Sequence, residues 1–217
     1  MSGSVQALIK ICGLMRAEDV EAVNAAQPDF CGFILTEGFR RSVAPEFAAQ
    51  SVRRLEGGIV PVGVFVDEAP ERVAAVVRVC SLGAIQLHGD EDDAYIERLR
   101  DMVAATGRLL ATPIIKAFSV RTRADVNRAC ASAADHILLD NGKGTGVEFD
   151  WGLLRGIRRP FFLAGGLGPD NVAEAIERVH PLGVDMSSGV ETDGLKDSKK
   201  ILAAIAAARG VRQEDLS

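Results

Sequence analysis

A chain of 217 residues with 47% hydrophobic and 25% charged side chains can bury a substantial core, and no Pro/Gly/Ser-rich linker divides it into parts. The formal charge of −5, with no basic run, argues against nucleic acid as the main partner. Nothing approaches the ~18 consecutive apolar residues of a membrane span, and Met1–Gln6 lacks the charged and apolar regions of a signal peptide. The expectation is one domain over residues 1–217. Cys12, Cys31, Cys80 and Cys130 show no C-x-x-C spacing, so neither a zinc site nor a redox pair is indicated. Reduced thiols in a cytoplasmic protein are the simplest reading.

From Leu8 onward, short apolar runs alternate with amphipathic segments. The expected strands are Leu8–Cys12, Phe30–Leu35, Val60–Val66, Ala84–Leu87, Ile114–Phe118, His136–Asp140, Phe161–Leu163 and Gly183–Met186. Their starts lie roughly 20–30 residues apart, the span of one β/α unit. Expected helices include Arg16–Ala26, one opening at Pro45-Glu46 and running through Leu55, Pro70–Cys80, Glu91–Met102 and Asp197–Arg209. Asp150–Gly156 is the weakest segment, barely two turns long. Eight such units favour a closed α/β barrel, a single (β/α)8 TIM barrel, over an open doubly wound sheet.

In strand one, a period of two turns Ile9 and Ile11 toward the helices and Lys10 and Cys12 toward the barrel interior. Cys12 then stands at the C-terminal mouth, where barrel enzymes keep their reactive groups, although a free cysteine is also a small buried hydrophobe. A buried Lys10 needs a counter-charge. Asp185 on strand eight is the expected partner across the closing seam, unless either side chain belongs to a substrate site instead. After strand two, Arg40-Arg41 offers a bidentate grip on a carboxylate, or else a solvated charge pair. His88 closes strand four, and the three scattered histidines form no convincing metal constellation. Asp140 ends strand six as a candidate acid or base, or as the cap of the next turn. Beyond it, Gly142–Gly146 lacks P-loop spacing and reads as a substrate loop.

Strands seven and eight carry the most distinctive stretch. Phe161–Leu167 ends in Gly165-Gly166 and Val184–Val190 contains Ser187-Ser188-Gly189, with a helix between them whose first turn is expected to hold Pro169 and Asp170. Uncrowded backbone N–H groups at two neighbouring strand ends make an anion cradle, and this is the usual phosphate site of (β/α)8 barrels. The alternative is that the glycines only permit tight turns.

Lys10-Ile11-Cys12-Gly13, Gln86-Leu87-His88-Gly89, Leu138-Leu139-Asp140 with Gly144-Thr145-Gly146, Phe149-Asp150-Trp151, Leu163-Ala164-Gly165-Gly166-Leu167 and Asp185–Glu191 together resemble phosphoribosylanthranilate isomerase of tryptophan biosynthesis. The resemblance runs from about Leu8 to Ile205. It implies a (β/α)8 barrel catalysing an Amadori rearrangement of a phosphosugar without metal or organic cofactor. It also implies Cys12 as general base, Asp140 as general acid and Arg41 as the anthranilate-carboxylate arginine. Backbone around Gly166, Ser188 and Gly189 would hold the phosphate, with His88 also at the substrate. The strand-two loop departs from the family's usual single arginine before an aromatic, which brings Arg40 into question beside Arg41. Lys143 stands where glycine is commoner. Another phosphosugar barrel isomerase or epimerase, or a non-catalytic phosphoribosyl-binding relative, is the competing reading. No nucleic acid or membrane partner is expected, and the chain is compatible with a monomer or a homodimer.

Overall fold

The computed structural model describes residues 6–105, 112–140 and 151–211. Eight parallel strands close into a barrel in chain order: β1 (Leu8–Cys12), β2 (Phe30–Ile34), β3 (Val60–Phe65), β4 (Ala84–Leu87), β5 (Ile114–Ser119), β6 (His136–Asp140), β7 (Phe161–Ala164) and β8 (Gly183–Met186). Every expected strand is present, with limits within one residue of those read from the apolar runs. Around them lie α1 (Ala17–Ala26), α2 (Pro45–Val52), α3 (Pro70–Val79), α4 (Asp93–Ala104), α5 (Arg123–Ala131), α6 (Val172–Val179) and α7 (Ser198–Gly210). A 3₁₀ turn at Ser188–Val190 and a hairpin, β9 (Glu191–Thr192) with β10 (Leu195–Lys196), connect β8 to α7.

Four helical expectations need correction, and the first is the helix opened at Pro45, which ends at Val52 rather than running through Leu55. Pro169 and Asp170 precede α6 rather than opening it. The Asn171 side chain accepts from the Gly168 N–H at 2.9 Å, and Asn171 at φ −134 is not helical, so the chain enters its helix only at Val172. The helix expected from Glu91 starts at Asp93, because Glu91 turns inward and Asp92 takes the N-cap, accepting from the Tyr95 N–H at 2.7 Å. The short segment after residue 150 forms only a 3₁₀ turn, Trp151–Leu154. Gly142–Gly146, Lys143 and Phe149-Asp150 lie outside the described residues.

Strand alternation divides the apolar residues into two cores. Ile9, Ile11, Phe33 and Leu139 pack outward against helix residues such as Val20, Val73, Ile96 and Ile201. A smaller inner plug contains Ile115, Ala117, Leu138, Phe162 and Ala164. The Phe162 ring meets Phe30 edge-on at 5.8 Å and His136 at 6.0 Å. Two residues beyond the β8 position that pairs with Phe162, the interior turns ionic. At the seam Lys10 is in register with Asp185, and its Nζ lies 3.0 Å from both carboxylate oxygens. The expected pair therefore forms. Burial pushes the Lys10 ammonium toward losing its proton, but Asp185 and the Cys12 sulfur outweigh it and hold the lysine above its ordinary range. Desolvation makes the net stability from such a pair small. Its consequence is a fixed positive charge inside the barrel.

Candidate active site

Cys12 ends β1, buried at the mouth and pointing inward with Lys10, as the period of two requires. Its sulfur lies beside the Lys10 ammonium, whose charge acts on it. Both groups occupy space that Gly32 leaves empty on β2, where Cys12 and Gly32 are in register. A Cβ on Gly32 would stand 2.8 Å from the Cys12 sulfur and 3.2 Å from Lys10 Nζ. Any larger residue would push thiol and ammonium apart. Burial raises the Cys12 thiol above its usual range, and Lys10 pulls it down without overcoming that burial. The resting group is a thiol held against a cation.

Asp140 ends β6 at the same mouth. The His88 ring lies beside it, with Nε2 at 3.8 Å from Asp140 Oδ2, beyond hydrogen-bond distance. On the other side Gln86 Nε2 is 3.1 Å from His88 Nδ1, so with the amide as donor the imidazole carries its proton on Nε2, toward Asp140. About 39% of the His88 side chain stays open, yet the surrounding walls desolvate it enough to lower its affinity for a proton. Asp140 and Asp185 oppose that shift, while Lys10 and Lys116 add to it. The ring is neutral at physiological pH. A cavity of about 920 Å³ opens here, with His88, Asp140, Lys116 and Phe118 in its walls. Cys12, Arg41, Gly166, Ser188 and Gly189 are not among its lining residues, so the expected site residues reach well beyond this one hollow.

The ends of β7 and β8 meet directly. A Cβ on Gly189 would fall 2.1 Å from the Leu167 carbonyl oxygen, so the two loops touch backbone to backbone. At Gly166 the requirement for glycine is conformational. Its φ is +66 and an added Cβ would meet nothing within 4 Å, so backbone conformation, not crowding, calls for glycine. Among the described residues the N–H groups of Gly166, Ser188 and Gly189 have no hydrogen-bond acceptor. Ser187 ties the cradle to strand one, its hydroxyl donating to the Cys12 carbonyl at 3.0 Å.

The two arginines of the β2 loop converge on one residue that spacing did not single out. Arg41 donates from Nε to Glu191 Oε1 at 2.6 Å and from Nη2 to Oε2 at 2.9 Å, and Arg40 Nη2 reaches the same Oε2 at 2.8 Å. Lys196 Nζ lies 2.7 Å from Glu191 Oε1. Lys196 is buried and its remaining donors face the carbonyl and hydroxyl of Ser187, so it is a strut beneath the cradle rather than an open cation. The only hint in the sequence was the place of Glu191 directly after Ser187-Ser188-Gly189-Val190. Lys116 is a second such case, buried on β5 and paired with Glu91 at 3.0 Å.

Burial alone would raise the Glu191 carboxyl, but hydrogen bonds from Arg41, Lys196 and Arg40 hold it at about 2, against an ordinary 4.5. A depressed carboxyl contributes stability that is complete above its unfolded value and disappears as pH falls through the folded one. Between pH 4.5 and about 2 the melting temperature should therefore drop more steeply for the wild type than for Glu191→Gln. Thermal melts of both proteins on a common pH series test this, and parallel curves would show that the carboxylate is not so held.

A closed barrel that gathers its polar chemistry at the C-terminal ends of its strands is a (β/α)8-barrel enzyme. The family described as N-(5'-phosphoribosyl)anthranilate (PRA) isomerase matches residues 9–207. The N-(5'-phosphoribosyl)anthranilate isomerase of Desulforudis audaxviator is 42% identical over 211 residues, covering 93% of this chain and 98% of the relative. That of Endomicrobium trichonymphae is 41% identical over 202 residues, covering 91% and 96%. The crystal structure of the Thermotoga maritima phosphoribosyl anthranilate isomerase superposes with a TM-score of 0.84 at 35% identity, covering 94% of this chain and all of that one. A phosphoribosyl anthranilate isomerase in complex with reduced 1-(o-carboxyphenylamino)-1-deoxyribulose 5-phosphate gives 0.82 at 35% identity with the same coverage. The chain belongs to the N-(5'-phosphoribosyl)anthranilate isomerase family, the isomerases of tryptophan biosynthesis.

Proposed function

We propose that the chain converts N-(5-phosphoribosyl)anthranilate to 1-(2-carboxyphenylamino)-1-deoxyribulose 5-phosphate, with Cys12 as general base and Asp140 as general acid. The observation that carries the reading is the Cys12 thiol lodged against the Lys10–Asp185 pair at the barrel mouth, where a base on strand one is needed.

Asp140 donates a proton to the ring oxygen as the C1′–O bond breaks, leaving an iminium between C1′ and the anthranilate nitrogen. A neutral His88 beside Asp140 brings no cation that would keep the acid ionised. Cys12 then removes the C2′ proton. The electron pair moves into C1′–C2′ and neutralises the iminium, giving an enolamine. Loss of the C2′ hydroxyl proton and gain of one at C1′ complete the ketose, so no electrons leave the substrate. Cys12 rests as a thiol. Once the iminium stands beside Lys10, the thiol releases its proton to water at the barrel mouth, and the thiolate so formed is the base that takes the C2′ proton. The phosphate rests on the Gly166, Ser188 and Gly189 backbone, and the anthranilate carboxylate on Arg41.

Arg41→Ala should raise KM far more than Arg40→Ala. Arg41 is mostly buried while Arg40 is 55% exposed, and a charged bidentate contact contributes roughly 1.5–3 kcal/mol. Steady-state kinetics on the two variants decide it, and a costlier Arg40→Ala would move the clamp by one residue. The reaction itself is tested by mixing the protein with freshly made phosphoribosylanthranilate and following the decay of its anthranilate-type fluorescence. No acceleration over the uncatalysed rate would sink the reading.

A further inference from the structure

We infer that Glu191 is the positioning residue that aims Arg41 at the substrate carboxylate. This rests on the proposed reaction. Arg41 does not hang free from the β2 loop. Its stem crosses the end of β1, where a Cβ on Gly13 would lie 2.6 Å from Arg41 Cδ, directly after Cys12. Its guanidinium then gives one whole edge, Nε and Nη2, to the two oxygens of Glu191. What remains is the end-on fork of Nη1 and the second N–H of Nη2, the geometry a planar carboxylate takes in two parallel hydrogen bonds.

The same carboxylate makes the crowding of charge possible. Arg40, Arg41 and Lys196 all lie within 3 Å of Glu191 oxygens, and its side chain is only 5% exposed. Three cations around one anion leave the cluster formally at +2, attractive to a substrate that carries both a carboxylate and a phosphate. Without Glu191 the three would repel one another, and Arg41, the longest and least anchored of the buried pair, would lose its fixed direction. Glu191 touches no reacting atom, so it acts through the arginine.

The test compares two substrates, N-(5-phosphoribosyl)anthranilate and the carboxyl-free N-(5-phosphoribosyl)aniline, on wild type and Glu191→Gln. Any loss through Lys196 and the phosphate loop affects both substrates alike and cancels in the ratio of their kcat/KM values. That ratio should fall about tenfold or more in Glu191→Gln, mainly through KM for the carboxylated substrate. Glu191→Asp keeps the charge but shortens its reach by one methylene, and should lower the ratio less, in the same direction. In an Arg41→Ala background Glu191→Gln should change the ratio no further. Turnover with an unchanged ratio in both Glu191 variants, whatever happens to absolute rates or melting temperature, overturns this inference alone. Failure of the wild type to turn over either substrate overturns the proposed reaction and this inference with it.

Discussion

Cys12→Ser should fold like the wild type and lose about 10²–10⁴ in kcat, the usual worth of a general base. The two side chains are close in volume, and a hydroxyl can keep the contact with Lys10. It cannot, however, supply a base at any accessible pH in a site that burial already makes hostile to negative charge. Asp140→Asn should fall by a similar factor, because an amide has no acidic proton for the departing ring oxygen. The two losses should not multiply. Once ring opening fails, the absence of a base downstream adds little, as expected for groups that act in sequence on one substrate. Single-turnover fluorescence on the two single variants and the double variant provides the measurement. Turnover within tenfold of wild type in either single variant would overturn the acid–base assignment.

Gly189→Val should abolish the protection that inorganic phosphate gives against thermal unfolding. That protection grows as RT ln(1 + [L]/Kd) and requires an intact cradle. A branched side chain at Gly189 cannot fit, since even its Cβ would lie 2.1 Å from the Leu167 carbonyl oxygen, so the loops after β7 and β8 must separate. Gly166→Val removes the same protection by another route. Its Cβ has room, but φ +66 is strained for any L side chain and worse for a branched one. Lys196→Ala should keep most of the effect, because Lys196 faces Glu191 and Ser187 rather than an open anion site. Titration of phosphate against melting temperature in the three variants compares them directly. Loss of protection in Lys196→Ala with retention in both glycine variants would mean that a side-chain cation, not the backbone, holds the anion.

The barrel was legible because its signals are local. Each strand is a short apolar run closed by small or polar residues, and each run is separated from the next by one helix, so strand limits fell within a residue of their positions. Helix starts were less legible where a side chain chose between capping and a tertiary partner. Glu91 reads as the first residue of a helix, but it is bound to Lys116 and to the backbone of Asp67 and Gly89. Asn171 rather than Pro169 decides where α6 begins, because its amide satisfies the Gly168 N–H first.

The sequence by itself determined the inward face of β1 and, through the rule that first and last strands meet, the Lys10–Asp185 pair across 175 residues. That partnership follows from topology and a period of two, both readable along the chain. Only the tertiary structure decided the rest of the site. The gap at Gly32 that brings thiol and ammonium together depends on the stagger between β1 and β2. The approach of His88 to Asp140 depends on how two strand ends two positions apart in the barrel lean across its mouth. The union of Arg40, Arg41 and Lys196 on Glu191 depends on how far the β2 loop reaches over β1, and Arg41 and Glu191 lie 150 residues apart in the chain. No periodicity encodes that reach, because it is set by side-chain length and loop path after the barrel has closed.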